Sequence, residues 1–123
     1  MIYGIGCDIE DIDRFYSYLS KENYLKKIYT DSELSSFYNI KNERRKAEFL
    51  ASRYAVKEAM SKALGTGISK NFSFKDVEVL KDDLGKPYIV YKDFICHVTI
   101  SHTKTTALAF VVLESKENNS DKR

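Results

Sequence analysis

Two carboxylates and a lysine have the residue types and spacing for phosphoryl chemistry. Asp8 closes the segment Ile2-Tyr3-Gly4-Ile5-Gly6-Cys7-Asp8, and Glu58 stands one helical turn before Lys62 and two before Gly65-Thr66-Gly67. A magnesium ion takes one or two protein carboxylates, keeps water molecules and completes its octahedron with substrate phosphates. A lysine and the N–H groups of a turn neutralise phosphate oxygens. Asp8, Glu58, Lys62 and Gly65-Thr66-Gly67 therefore suit a Mg²⁺ site facing a phosphate site. Two simpler roles stay open. Asp8 can cap the helix that follows it, worth about 1 kcal/mol, and Glu58 can pair with Lys62 four residues on along a solvated face.

Other motifs are weaker. Ile100-Ser101-His102-Thr103 ends a predicted strand, where His102 suits a phosphate contact, a proton-transfer partner or an ordinary surface role. No G-x-S-x-G elbow surrounds Ser101, which argues against a hydrolase nucleophile. Gly4-Ile5-Gly6 lacks the third glycine of a dinucleotide fingerprint, and the lysine precedes Gly65-Thr66-Gly67, unlike a Walker loop. Cys7 and Cys96 show no metal or redox spacing and are expected to be reduced, buried small hydrophobes.

The elements that position these residues follow from periodicity. Alternation over 2–9 predicts a strand with Tyr3, Ile5, Cys7 and Ile9 on one face and Ile2, Gly4, Gly6 and Asp8 on the other. Two side-chain-free positions thus share the face of the carboxylate, a mark of close approach by a ligand or another backbone. Short helices are expected over 11–19 and 24–28, and Thr30-Asp31-Ser32-Glu33 is a capping box opening a further one. A long helix is expected from Glu43 to Leu64, stopped by Gly65. Phe49, Val56, Met60 and Ala63 make one apolar stripe; Ala47, Ala51, Tyr54 and Ala55 make another, continued by Glu58 and Lys62. A helix apolar on both sides is buried on both sides, and the alanines at 47, 51 and 55 would let it lie close to a sheet. Strands over 76–81 and 87–91 flank the turn Asp82-Asp83-Leu84-Gly85-Lys86, and a second pair is expected over 96–101 and 105–114. The fold class is α+β: a small antiparallel sheet with helices packed on one face and one long buried central helix.

A chain of 123 residues is expected to form one domain, over 1–114, with 115–123 a polar tail that frays. A net charge of +2 does not imply a global polyanion-binding surface, though it leaves local basic patches open, and nine Tyr and seven Phe are assigned mostly to the core rather than to nucleic acid. The apolar run 107–113 is too short to span a membrane, and no secretory leader pattern opens the sequence. The expected location is the cytoplasm. Lys41, Arg44, Arg45 and Lys46 crowd the start of the long helix against the preference of its dipole, which suggests an acidic protein partner. A non-catalytic module docking such a partner is the alternative to an enzyme.

Gly4-Ile5-Gly6-Cys7-Asp8 with Arg14, then Phe49-Leu50-Ala51-Ser52-Arg53-Tyr54-Ala55-Val56-Lys57-Glu58-Ala59-Met60-Ser61-Lys62-Ala63, then Ile100-Ser101-His102, resemble holo-[acyl-carrier-protein] synthase, the small bacterial class of phosphopantetheinyl transferase. Gly85-Lys86-Pro87 before a strand also looks like this family, and the resemblance runs in order over residues 2–114. Thr99 stands where a serine is common. The resemblance implies transfer of 4′-phosphopantetheine from coenzyme A to a serine of apo acyl carrier protein, releasing adenosine 3′,5′-bisphosphate, in fatty acid biosynthesis. It implies Mg²⁺ held by Asp8 and Glu58, with Lys62 contacting phosphate; the serine proton would pass to Glu58, directly or through a metal-bound water, a choice the sequence leaves open. Gly65, Thr66, Gly67, Pro87, Ser101 and His102 would line the nucleotide site, and Arg14, Arg45 and Arg53 would meet the acidic carrier protein. It further implies a homotrimer whose sites lie between neighbouring subunits.

Overall fold

A computed structural model describes residues 1–65 and 72–116. The strand β1 (Ile2–Asp11) is followed by a 3-10 turn (Ile12–Tyr18) and three helices, α1 (Glu22–Ile28), α2 (Asp31–Asn39) and α3 (Glu43–Leu64). A second 3-10 turn (Phe74–Asp76) leads to β2 (Glu78–Lys81) and β3 (Pro87–Val90), and then come β4 (Phe94–His102) and β5 (Thr106–Ser115). The α+β class holds, with the strands divided between an antiparallel sheet of order β1-β5-β4 and a separate β2-β3 hairpin. Asp8 lies opposite Ala109 and Glu10 opposite Ala107; on the other side of β5, Ile100 and His102 face the same two alanines. Among the described residues no helix is long and apolar enough to cross a membrane.

The helix α3 has the expected bounds. Asn42 caps it by accepting the Arg45 N–H at 3.0 Å, and Gly65 ends it at φ +83, a conformation that glycine adopts without strain. Two buried clusters divide its length. Its N-terminal half packs Ala47, Leu50 and Ala51 with Ile12, Phe15, Leu25, Leu34 and Phe37. Its C-terminal half packs Ala55, Val56, Ala59, Met60 and Ala63 with Val77, Val79, Ile89 and the β5 residues Ala109, Val111 and Leu113. Ala47 and Ala51 share this cluster with Ala107 of β5, so they pack among the small helices and one end of the sheet. The closest backbone approach lies further along, where β1 presents Gly4 and Gly6. A Cβ added to Gly4 would lie 2.0 Å from the Ala63 carbonyl oxygen, and one on Gly6 would lie 2.0 Å from that of Ala59. Helix and strand touch backbone to backbone, on the face that carries Asp8.

A buried ion pair ties this assembly to the hairpin. Lys57 Nζ and Glu33 Oε1 are 2.9 Å apart and both side chains are fully buried. Lys57 also donates to the carbonyls of Phe74 and Val77, at 3.0 and 2.5 Å. Glu33 completes the Thr30 capping box through the Thr30 N–H at 2.8 Å and accepts the Val79 N–H at 2.7 Å. Burial depresses the Lys57 pKa, with the Glu33 charge opposing. Removing one partner of a pair so enclosed costs about 3–5 kcal/mol, because the other charge is stranded.

Cys7 departs from its expected burial: with Tyr3, Ile5 and Ile9 it lies on the outward, exposed face of β1, while Cys96 is half-buried against the core. Gly6→Ala should force α3 away from β1 and cost about 1–3 kcal/mol in denaturant unfolding. A midpoint equal to that of the wild type would show that the strand and helix are not in backbone contact.

Candidate active site

The glycine contact sets Asp8 against the last turns of α3. Lys62 reaches across rather than along its helix: its Nζ lies 3.2 Å from Asp8 Oδ1 and donates to the Cys7 carbonyl at 2.9 Å. The two simpler roles thus give way. β1 continues through Asp11, so Asp8 lies inside a strand and caps nothing, and the partner of Lys62 is Asp8, not Glu58. Asp8 Oδ2 is buried and has no hydrogen-bond partner among the described residues. A buried carboxylate oxygen without a donor is costly unless a proton or a cation meets it.

Three further residues complete this corner: Arg14, expected from the sequence to meet the carrier protein, and Glu10 and Tyr54, which were not site candidates. Glu10 stands two positions on from Asp8 along the same strand face. Burial, then the neighbouring Asp8 carboxyl, push Glu10 up to about 8, with Arg14 opposing and Glu58 adding to the rise. Arg14 Nη1 is 2.6 Å from Glu10 Oε1, and its guanidinium lies over the rings of Phe15 and Tyr54. Burial works against the Arg14 charge, but hydrogen bonds to Tyr54 and Tyr18 and the Glu10 charge outweigh it and raise its pKa. Burial raises the Tyr54 pKa, with Arg14 opposing and Glu58, one helical turn on, adding to the rise. Asp8, Glu10, Arg14, Tyr54 and Glu58 thus lie at one corner. Its donors toward a cation are all carboxylate oxygens, which suit a hard ion such as Mg²⁺. Among the described residues no group of three or more His, Cys, Asp or Glu side chains is placed to hold a metal ion.

The remaining predicted residues gather elsewhere. Arg45, Arg53, Pro87 and His102 line a cavity of about 250 Å³ with Lys81, Gly85, Ser52, Phe49 and Glu48, and Asp8, Glu58 and Lys62 take no part in it. The hairpin turn shapes its wall: Asp82 Oδ1 accepts the N–H groups of Leu84 and Lys86, both at 2.9 Å, and Gly85 takes φ +85. Arg53 is only 7% exposed; it stacks 4.1 Å over Phe49, donates to Ser52 Oγ at 3.0 Å, and leaves its buried Nε unpaired. Burial lowers its pKa, and that of Lys81 falls through burial and the neighbouring Arg53 and Arg45 charges. The carboxylate at the rim, Glu48, is engaged by Arg44 at 3.6 Å and His102 at 3.5 Å. Cations crowded in this way call for an anion. Ser101 points to the other face of β4 and lines no part of the cavity. Gly65 is exposed at the end of α3; Thr66 and Gly67 lie outside the described residues. The basic run at the start of α3 is dispersed, with Arg44 on Glu48, Arg45 in the cavity and Lys46 over Phe37.

A family model described as the 4′-phosphopantetheinyl transferase superfamily matches residues 4–115. The chain belongs to that superfamily. A holo-[acyl-carrier-protein] synthase of Staphylococcus aureus (strain Newman) is 51% identical over 115 residues, spanning 93% of this chain and 97% of the relative. Among solved structures, the Bacillus anthracis holo-(acyl-carrier-protein) synthase in complex with CoA (3′,5′-ADP) superposes with a TM-score of 0.87 at 45% identity, covering 94% of this chain and 99% of that one. The Neisseria meningitidis holo-[acyl-carrier-protein] synthase gives 0.81 at 34%, covering 94% and 100%. The expected family, fold and phosphopantetheinyl transferase class hold.

The cavity can be tested apart from any reaction. Pyrophosphate should raise the unfolding temperature, increasingly with its concentration, and Arg53→Met should weaken that apparent affinity about 10-fold or more. An equal shift in both proteins would place the anion elsewhere.

Proposed function

We propose that this chain transfers 4′-phosphopantetheine from coenzyme A to a serine of an apo acyl carrier protein in the cytoplasm, releasing adenosine 3′,5′-bisphosphate and supplying fatty acid biosynthesis. The observation that carries this reading is the buried, unpaired Asp8 Oδ2 set beside Glu10, Glu58 and Lys62 in a member of this family. Asp8 and Glu58 would hold Mg²⁺; when bound, the ion neutralises the coenzyme A diphosphate and favours in-line displacement at its phosphorus. Glu58, one helical turn after Tyr54, accepts the proton of the carrier serine. Lys62, half-exposed at the end of α3, meets phosphate oxygens and the charge of the departing bisphosphate. Gly65, exposed at the end of α3, would face the phosphate side.

The cationic cavity suits the phosphate-bearing nucleotide end of coenzyme A. This reading moves Arg53 from carrier docking to the nucleotide, since a side chain 7% exposed has little reach to a partner surface. Arg14 and Arg45, both more exposed, remain for the acidic carrier protein. β1 with Asp8 and β4 with His102 flank β5 on opposite sides, so one chain supports two half-sites. The outward face of the sheet leaves Tyr3, Ile5, Ile9, Ile95 and Phe110 exposed, an apolar surface suited to association. A homotrimer that joins the Asp8 edge of one subunit to the His102 edge of the next would complete each site.

Asp8→Asn and Glu58→Gln should each slow release of adenosine 3′,5′-bisphosphate in the presence of apo carrier protein by at least about 100-fold, with circular dichroism unchanged. Near-normal release by both variants would instead favour a non-catalytic docking module.

A further inference from the structure

Glu10 occupies a position between two parts of the proposed site. On one side it follows Asp8 by two residues on the same face of β1, opposite Ala107 as Asp8 is opposite Ala109. On the other, its Oε1 lies 2.6 Å from Arg14 Nη1. Arg14 in turn lies 5.2 Å from the centre of the Tyr54 ring, and Tyr54 precedes Glu58 by one turn of α3. Glu10 and Arg14 thus stand between Asp8 on the strand and Tyr54 and Glu58 on the helix. Arg14 is the cation nearest these carboxylates on one side, and Lys62 on Asp8 Oδ1 is the cation on the other. A divalent cation arriving at Asp8 and Glu58 adds positive charge beside a carboxylate already held by a guanidinium. It competes with Arg14 for the same negative charge.

We propose that Glu10 is a positioning residue that couples the metal site to Arg14: with the site empty it holds the guanidinium, and with a divalent cation bound it turns to the cation and frees Arg14 for the carboxylates of the carrier protein. This rests on the reading above that Arg14 meets the carrier. The guanidinium then has a ready alternative support, since it lies over the Phe15 and Tyr54 rings and bonds Tyr54 and Tyr18. The exchange makes carrier docking follow metal loading, so a carrier is held firmly only where transfer is possible.

The test is binding, not turnover. A carrier protein whose acceptor serine is replaced by alanine is titrated calorimetrically into wild-type, Glu10→Gln and Arg14→Gln proteins, without coenzyme A, in saturating Mg²⁺ and in chelator. Wild-type protein should bind the carrier about 5-fold or more tightly with Mg²⁺. Glu10→Gln should bind in chelator as tightly as wild type does with Mg²⁺, and its Mg²⁺ effect should vanish; Glu10→Ala serves as the second variant, with melting curves confirming the fold of each. Arg14→Gln should bind weakly under both conditions. A Mg²⁺ effect that survives in Glu10→Gln and Glu10→Ala, or is absent in wild type, overturns the coupling. Wild-type affinity in Arg14→Gln overturns the carrier role of Arg14 itself, which separates failure of the underlying reading from failure of the link through Glu10.

Discussion

The contact between β1 and α3 at Gly4 and Gly6 is the constraint from which the site follows. With no side chain at either position, the strand backbone lies against the carbonyls of Ala59 and Ala63. That spacing puts Asp8, two residues past Gly6, within reach of Lys62, one turn past Glu58. It also buries Asp8 Oδ2 without a donor. Any side chain at Gly6 would push the helix outward and draw Lys62 away from Asp8. Close packing is what turns ordinary carboxylates into a site.

The long helix is a common support for both halves of the chemistry. One face of its C-terminal half carries Glu58 and Lys62 toward β1, and its N-terminal half carries Arg45 and Arg53 toward the hairpin and β4. Its position is set by more than apolar contact. Lys57 anchors it to Glu33 and to two carbonyls of the segment that precedes the hairpin. That buried pair makes the placement of Pro87, Gly85 and Lys81 around the cationic cavity depend on the same helix that positions Glu58.

Much of this was readable beforehand, for physical reasons. The bounds of α3 follow from a cap, a strong helical composition and Gly65; the capping box at Thr30 follows from Glu33 three residues on. Asp8 on the glycine face of β1 follows from strict alternation. The same alternation also placed Glu10 on that face, a signal that passed unused because two acidic residues flanking an isoleucine look like surface. Lys57 and Glu33 were legible only as a helix residue and a cap, since their pairing joins positions 24 apart in sequence through tertiary packing. The separation of His102 from Ser101 is a consequence of strand pleating that a corner motif conceals. The grouping of Arg53 with Lys81 rests on how the hairpin folds over α3, which no local pattern encodes.

The central claim is that the carboxylate corner supports metal-dependent transfer of a phosphopantetheine group. The direct measurement is the intact mass of an apo acyl carrier protein incubated with this protein, coenzyme A and Mg²⁺, with and without chelator. The account predicts a gain of one 4′-phosphopantetheine that disappears when chelator is added. A gain unaffected by chelator would contradict the metal role of Asp8 and Glu58, and no gain with several carriers would contradict the transfer itself.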